Sequence, residues 1–221
     1  MTNEEILRHI DHTLLKAVSS WAEIEKLCTE AIRFRTASVC VPPSYVKPIH
    51  DAYGNELVIC TVIGFPLGYS VKKAKLTELE TALAEGGQEF DMVVNLGDVK
   101  NGAFGKIQDE ISSLKKAAGK NILKVIVETC YLSREEKIQL CETVTLAGAD
   151  YIKTSTGFGT AGALIEDVLL FREHIGPGVK IKAAGGVKTR EDLELFLGSG
   201  CDRIGTSSAV AILTGGGAAG Y

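Results

Sequence analysis

The sequence predicts an α/β fold, a single (β/α)8 TIM barrel that begins with a short N-terminal helix and spans residues 1–221. Short runs rich in Val and Ile alternate with helical patterns along the chain. Most of these runs are apolar on both faces, which is typical of parallel strands covered by helices. No linker rich in Pro and Gly divides the 221 residues, a length that suits one barrel.

Seven clear strand candidates follow one another in the sequence, and the eighth strand of a barrel could be HIDHTLL (9–15), which comes directly after the short helix at the N-terminus. The seven are TASVCV (36–41), LVICTVIG (57–64), EFDMVVNL (89–96), LKVIVET (123–129), YIKTST (151–156), VKIKAAG (179–185) and DRIGTSS (202–208).

Helical patterns fill most of the intervals between the strands. Ser20 with Glu23, and Ser133 with Glu136, form capping boxes, which mark helix starts. Apolar residues recur on one face of the helix behind the first box, namely Trp21, Ile24, Leu27, Cys28 and Ala31. Glycines mark the helix ends, at positions 86, 87, 119, 148, 176 and 198.

The same elements could form an open, doubly wound sheet instead of a closed barrel. The first strand lacks the Gly-x-Gly-x-x-Gly fingerprint that would favour a dinucleotide-binding sheet. We therefore favour the barrel.

The composition, 45% hydrophobic and 24% charged, is typical of a soluble globular protein. A net charge of −4 gives no general attraction to nucleic acid or to acidic membranes, and neither a signal peptide nor a membrane-spanning run is visible. The six cysteines form no CxxC pair and the four histidines no ligand pattern. We expect a cytoplasmic protein with free thiols and without a metal or other cofactor.

Polar side chains collect at or near the strand ends, where barrel enzymes carry their chemistry. Asp91 lies within its strand, Glu128 near the end of the next one, and Lys153 in YIKTST. The following strand carries Lys180 and Lys182, and alternation places both on the same face. If this face lines the barrel, lysines from neighbouring strands share one pocket.

Two lysines in one pocket have a chemical use. Ammonium groups about 5 Å apart repel by roughly 3 kcal/mol at an effective dielectric near 20, which favours loss of a proton from one of them. A neutral amine can attack a carbonyl and form a Schiff base, while the second lysine and Asp91 move protons. A lysine that reaches water from a strand end is the alternative interpretation.

Glycine-rich loops follow the last two strands. AAGGV (183–187) and IGTSS (204–208) offer backbone N–H groups and hydroxyls, and Lys188 adds a charge. Loops at this end of a barrel often bind phosphate, although ordinary tight turns are the alternative for either loop alone.

Seven segments in order resemble deoxyribose-phosphate aldolase, in the shorter form of that family: DHTLL (11–15), CTVIGFPLG (60–68), EFDMVVN (89–95), KVIVET (124–129), YIKTSTGF (151–158), IKAAGGVKT (181–189) and RIGTSS (203–208). The resemblance covers essentially the whole chain. It implies a metal-free class I aldolase on an eight-stranded barrel, which reversibly cleaves 2-deoxy-D-ribose 5-phosphate to acetaldehyde and D-glyceraldehyde 3-phosphate.

The resemblance also implies roles for individual residues. Lys153 would be the Schiff-base lysine, Lys182 the second lysine and Asp91 the proton donor and acceptor, with Asp11 and Lys124 in support. The implied phosphate contacts are Gly157, Gly185, Gly186, Lys188, Gly205, Ser207 and Ser208. Phe158 stands where the longer branch of the family has a lysine, which leaves phosphate binding more dependent on Lys188.

Two positions have more than one interpretation. Cys40 matches a pocket-lining cysteine of the family, but a buried small apolar group is the better interpretation. The tail TGGGAAGY (214–221) would be flexible, and the resemblance implies that Tyr221 swings into the site as a proton shuttle.

The expected partners are small aldehydes and a phosphorylated sugar, with a homo-oligomer (a dimer or a tetramer) implied by the resemblance. A phosphate-binding isomerase without a covalent lysine, or an inactive barrel that serves as a binding protein, is the alternative function. Both alternatives leave Lys153 and Lys182 without a task.

Overall fold

A computed structural model describes residues 1–215 and arranges eight parallel strands in a closed barrel. The strand order follows the sequence, and the last strand pairs back with the first. The strands are β1 (Ile10–Thr13), β2 (Ser38–Val41), β3 (Ile59–Ile63), β4 (Glu89–Val93), β5 (Ile122–Ile126), β6 (Tyr151–Lys153), β7 (Lys180–Ala184) and β8 (Arg203–Thr206). The predicted barrel is confirmed, and the open-sheet alternative is wrong.

Helices connect the strands around the outside of the barrel. They are α1 (Asn3–Leu7), α2 (Trp21–Phe34), α3 (Val46–Tyr53), α4 (Lys72–Ala84), α5 (Leu96–Lys100), α6 (Phe104–Ala118), α7 (Arg134–Leu146), α8 (Ile165–His174), α9 (Arg190–Gly198) and α10 (Ala209–Thr214). The predicted N-terminal helix is α1. Short 3-10 turns lie at Pro43–Tyr45 and Thr129–Tyr131.

Both predicted capping boxes are present. Ser20 caps α2 and Ser133 caps α7, and in each box the glutamate three residues later reaches back to the backbone of the cap. The same device at Thr189, with Asp192, begins α9 next to a glycine loop. This cap fixes the point at which the loop after β7 becomes helix.

The barrel has an apolar outer layer and a charged interior. Apolar side chains of the helices pack against outward-facing strand residues such as Ile152 and Ile204. Inside the barrel, Asp11, Asp91 and Lys124 have no exposed surface. Barrel interiors are usually filled by branched apolar side chains. Buried charges are costly unless they are paired, so this interior must be a network of ion pairs.

The predicted tail lies mostly outside the described residues. Thr214 is the last residue of α10 rather than the start of the tail, and Gly215 follows in the left-handed conformation, with φ 83°. Tyr221 lies outside residues 1–215. Within the described range, no helix is both long and apolar enough to cross a bilayer.

Candidate active site

Two lysines and an aspartate meet inside the barrel. Lys153 ends β6, and the strand register pairs it with Lys182 on β7. The ammonium nitrogens of Lys153 and Lys182 lie 2.7 and 2.6 Å from the same oxygen, Oδ2 of Asp91. The structure therefore brings the three predicted catalytic residues together. The carboxylate between the two ammonium groups offsets the repulsion that the sequence predicts for them.

A second carboxylate holds the other side of Lys182. The Lys182 ammonium donates to Asp11 Oδ2 over 2.5 Å, while Ser38 donates to Asp11 Oδ1 over 2.7 Å. Asp11, predicted as a supporting residue, is thus in direct contact with Lys182. Because Lys182 has two carboxylate partners, its positive charge is well compensated.

Lys124, the other predicted supporting residue, binds three carboxylates. Its ammonium nitrogen lies 2.6 Å from Glu89, 2.9 Å from Asp91 and 3.4 Å from Asp11. Below it, Arg203 contacts Asp11 at 2.5 Å and Glu89 at 3.1 Å. The network thus runs from Lys153, at the pocket end of the barrel, to Arg203, at the start of β8.

The pKa values of these groups follow from the competition between burial and opposite charge. Burial disfavours the charge on Asp91, but Lys124, Lys153 and Lys182 outweigh it and hold the Asp91 pKa well below its usual range. Burial likewise opposes charge on Lys182, yet Asp11 and Asp91 raise its pKa above the usual value. The pKa of Lys124 is raised for the same reason. Lys182 and Lys124 therefore stay ammonium ions at neutral pH.

Lys153 differs from the other two lysines in its surroundings. Asp91 is its one carboxylate contact within residues 1–215, and it shares that carboxylate with both other lysines. Its side chain is 3% exposed and lines a pocket of about 410 Å³. Lys153 is therefore the network lysine that a ligand in the pocket can reach.

The predicted phosphate contacts surround the same pocket. All seven line it, namely Gly157, Gly185, Gly186, Lys188, Gly205, Ser207 and Ser208. Phe158 also lines the pocket and packs edge-on against Phe65, with ring centroids 5.3 Å apart. The pocket thus has Lys153 at its base, and the glycine loops and the exposed Lys188 at its rim.

Three glycine positions depend on backbone geometry or on space. Gly185 and Gly186 have φ values of 81° and 79°, a region that strongly favours glycine. A Cβ atom on Gly205 would lie 3.1 Å from Cε of Lys182. Gly205 therefore leaves room for the Lys182 side chain to cross the barrel.

The choice between Lys180 and Lys182 is decided by position along β7. Lys182 is buried in the network, whereas Lys180 begins β7 and is exposed. The Lys180 ammonium lies 5.8 Å from the centre of the Tyr151 ring, away from Asp91. Alternation correctly places the two lysines on one face but does not show that they lie at different depths.

Glu128 lies beyond its strand rather than at its end. β5 stops at Ile126, and Glu128 adopts a left-handed backbone with φ 55°. Its carboxylate accepts a hydrogen bond of 3.1 Å from the Thr156 amide and another from the Thr156 hydroxyl. Burial raises the Glu128 pKa, and these hydrogen bonds offset the effect only in part. Glu128 thus fixes the loop that follows Lys153.

Thiols and carboxylates inside the barrel are close enough to hold a metal ion. The ligand atoms of Cys40, Cys60 and Asp91 lie within 4.8 Å of one another. However, Lys124 donates to Cys60 Sγ over 3.2 Å and also to Asp91. Two of the three possible metal ligands, Cys60 Sγ and Asp91, already accept hydrogen bonds from a positively charged ammonium group, so the set does not fit a resident cation. Cys40 is fully buried beside Cys60, as the small-group interpretation expects.

Sequence reasoning did not identify two members of the network, Glu89 and Arg203. Glu89 precedes Asp91 by two residues and so shares its strand face. Arg203 likewise precedes Gly205 by two residues on β8. Alternation could have found their faces, but only the closed barrel brings the two strands together.

A buried lysine at the base of a pocket in a closed α/β barrel is an arrangement found in enzymes that attack carbonyl carbons with an amine, aldolases among them. The family model described as "DeoC/LacD family aldolase" matches residues 6–207. The chain therefore belongs to the DeoC/LacD family of aldolases.

Individual relatives agree with this assignment. A deoxyribose-phosphate aldolase of Clostridium botulinum (strain Alaska E43 / Type E3) is 59% identical over 221 residues, all of both chains. One of Clostridioides difficile (strain 630) is 52% identical over 95% of this chain and 96% of its own. The solved tetrameric enzyme of Aeropyrum pernix, 32% identical, superposes with a TM-score of 0.90 over 96% of this chain and 91% of its own. The resemblance seen in the sequence is confirmed.

Proposed function

We propose that this protein reversibly cleaves 2-deoxy-D-ribose 5-phosphate to acetaldehyde and D-glyceraldehyde 3-phosphate through a Schiff base on Lys153. One observation carries the proposal: Lys153 is the network lysine that lines the pocket, opposite the glycine loops and Lys188. The names of the curated relatives supply the substrate.

Placement of the substrate follows from the charges around the pocket. The phosphate is held by the amide groups and hydroxyls of the two glycine loops and by the Lys188 ammonium. The aldehyde carbon C1, at the other end of the sugar, then reaches the Lys153 amine at the base.

The chemistry begins with attack of neutral Lys153 on C1. Loss of water from the resulting carbinolamine leaves an iminium ion, which withdraws electrons from the C2–C3 bond. When the hydroxyl on C3 gives up its proton, that bond breaks, glyceraldehyde 3-phosphate leaves and an enamine of acetaldehyde remains. Protonation of C2 and hydrolysis of the imine then release acetaldehyde and restore the amine.

Asp91 and Lys182 have different tasks in this sequence. The Asp91 carboxylate, 2.7 Å from the Lys153 nitrogen, stabilises the positive iminium. Lys182 is an ammonium ion at rest and gives up a proton during the reaction. Asp91, whose oxygen lies against both lysines, accepts this proton and passes it to the reacting atoms by way of a water molecule, and the proton released at C3 returns along the same route. Both groups are preorganised because the network around them is buried.

Two measurements test this function. The first couples cleavage of deoxyribose 5-phosphate to detection of glyceraldehyde 3-phosphate. The second adds borohydride to the protein with acetaldehyde and maps the modified peptide by mass spectrometry, where ethyl-lysine is expected at position 153. An isomerase or an inactive barrel would give neither product nor adduct.

We further propose that the protein acts as one catalytic domain in the cytoplasm and as a homo-oligomer, a dimer or a tetramer. The Aeropyrum pernix relative, which is described as tetrameric, supports the last point. Light scattering after gel filtration tests it. Tyr221, outside the described residues, is proposed as the proton shuttle at C2, and slower deuterium exchange into acetaldehyde by Tyr221→Phe would support this role.

A further inference from the structure

The ion network inside the barrel extends well below the residues that reach substrate. Glu89 and Arg203 contact each other, Glu89 also contacts Lys124 and Arg203 also contacts Asp11, but neither residue lines the pocket beside Lys153. Glu89 is 4% exposed, and the Arg203 side chain is 11% exposed with its guanidinium 5.7 Å from the centre of the Tyr151 ring. They form the lowest layer of a charge network whose top is the proposed nucleophile.

Charge is unevenly shared within this network. Four cations, Lys124, Lys153, Lys182 and Arg203, contact three carboxylates, Asp11, Glu89 and Asp91. Lys124 contacts three of these carboxylates and Lys182 and Arg203 two each, while Lys153 contacts one. Glu89 is linked to Lys153 through Lys124 and Asp91, and Arg203 through Asp11, Lys182 and Asp91, so a change of charge at either position alters how far Asp91 compensates the Lys153 ammonium.

We propose that Glu89 and Arg203 set the pH at which Lys153 becomes a free amine, and that they act with opposite signs. This inference rests on the proposed Schiff-base function. The negative charge of Glu89 favours the ammonium form of Lys153, and the positive charge of Arg203 favours the amine. Both are positioning residues, since they act through Asp11, Asp91 and Lys124 and do not touch the substrate.

The other titratable groups in and beside the network, within residues 1–215, are common to all the variants compared below. The anions are Asp11, Asp91 and, beyond the end of β5, Glu128. The cations are Lys124 and Lys182. The thiols are those of Cys40 and Cys60. None of them is altered, so a difference between variants reports the charge at position 89 or 203.

The test is the acid limb of the pH profile of kcat/KM, where Lys153 must lose its proton. Glu89→Gln is expected to move this limb to lower pH and Arg203→Gln to higher pH, each by about 0.5 to 1 unit, as expected for a buried unit charge roughly 10 Å away. In the double variant the two shifts should largely cancel. A purely structural role would lower the rate in both variants without opposite shifts.

Two sets of control variants guard the interpretation. Lys47→Gln and Asp51→Asn make the same charge changes in an exposed pair on α3, 2.9 Å apart, and should leave the acid limb in place. Glu89→Asp and Arg203→Lys keep the charge at each position but move it away from its partners in the network, because the new side chains are shorter. They should restore part of the rate and shift the limb less, with the same signs. If the glutamine variants do not fold, the opposite signs must still appear in this second pair.

A second readout separates this inference from the proposed function. The pH dependence of borohydride trapping with acetaldehyde requires only attack by the Lys153 amine and no cleavage of a sugar phosphate. If the wild type fails to cleave deoxyribose 5-phosphate but traps acetaldehyde, the substrate assignment falls and the charge inference is still tested. If the pH dependence shifts with the same sign in the Glu89 and Arg203 variants, or does not shift in folded variants, the charge inference is wrong.

Discussion

Two buried lysines of this protein, in different layers, have very different surroundings. Lys75 of α4 is fully buried between helices, where its ammonium lies 2.7 Å from Glu110 of α6 and donates to the Val93 carbonyl over 2.9 Å. Lys153, inside the barrel, is 3% exposed and lies 2.7 Å from Asp91. Each lysine has a close carboxylate, but only the second lines the pocket beside the glycine loops.

The comparison shows that burial and a shifted pKa do not by themselves identify a catalytic lysine. Burial lowers the pKa of Lys75 and raises that of Glu110, and their mutual attraction restores only part of each shift. Lys182, by contrast, has a raised pKa although it lies next to Lys153. Access to the pocket distinguishes Lys153 from both Lys75 and Lys182.

The largest effect is expected for Lys153→Leu, which removes the proposed nucleophile but leaves an apolar side chain of similar length. Cleavage should fall by a factor on the order of 10⁴ or more, with no adduct after borohydride. The coupled assay and circular dichroism measure activity and fold. Substantial remaining activity in a folded variant would contradict the Schiff-base role.

Lys75→Met is expected to affect stability and leave the chemistry intact. Removing one partner of a buried ion pair typically costs about 3 to 5 kcal/mol, because Glu110 keeps an uncompensated buried charge. Urea unfolding measures the loss, and kcat/KM of the folded protein should stay close to wild type. Lys75→Met/Glu110→Leu should recover much of the stability. A loss of turnover as large as that of Lys153→Leu would remove the distinction between the two lysines.

The sequence predicts these two lysines unequally well, for a physical reason. Alternation along a strand, together with the position of YIKTST in a barrel, is enough to place Lys153 and Asp91 at the pocket end. Lys75 lies with two other lysines in KKAK (72–75), a composition typical of a solvated helix face. Its spacing from Leu79 and Ala82, both buried, is the signal that could have placed it inward.

The rest of the site depends on contacts between distant parts of the chain. Arg203 and Glu89 are 114 residues apart, and their contact requires the barrel to close with a particular stagger between strands. The left-handed backbone of Glu128 and its bonds to Thr156 likewise depend on the loop after β6. Local patterns carry no information on either feature.

Lys188 differs from both buried lysines, because it is exposed but lines the same pocket as Lys153. Lys188→Ala tests whether it binds the phosphate. KM for deoxyribose 5-phosphate should rise about tenfold with a smaller change in kcat, because the phosphate is held alike in ground and transition states. Lys180→Ala, an equal charge change at the other end of β7, is the matched control. Equal losses with unphosphorylated deoxyribose would show that Lys188 does not hold phosphate.

The smallest effect is expected for Glu128 beside the pocket, whose pKa is raised by burial, as is that of Glu110 in the helix layer. A raised pKa means that the folded state holds the proton more tightly than the unfolded state. The stability contributed by Glu128 is therefore complete below its ordinary pKa of 4.5 and is lost as the pH rises through the folded value. Glutamine at this position has no such pH dependence and can still bond to Thr156.

The difference in unfolding free energy, Glu128→Gln minus wild type, should accordingly increase from pH 5 to pH 8. The increase should be no more than about 1 kcal/mol, the net value of one hydrogen bond. Glu110→Gln should instead lose stability at neutral pH, because Lys75 then keeps a buried charge with no carboxylate beside it. Guanidinium unfolding at both pH values measures the two differences. If Glu128→Gln instead becomes less stable relative to the wild type as the pH rises, the fold stabilises the Glu128 carboxylate more than its burial indicates. The pKa of Glu128 would then be lowered, unlike that of Glu110.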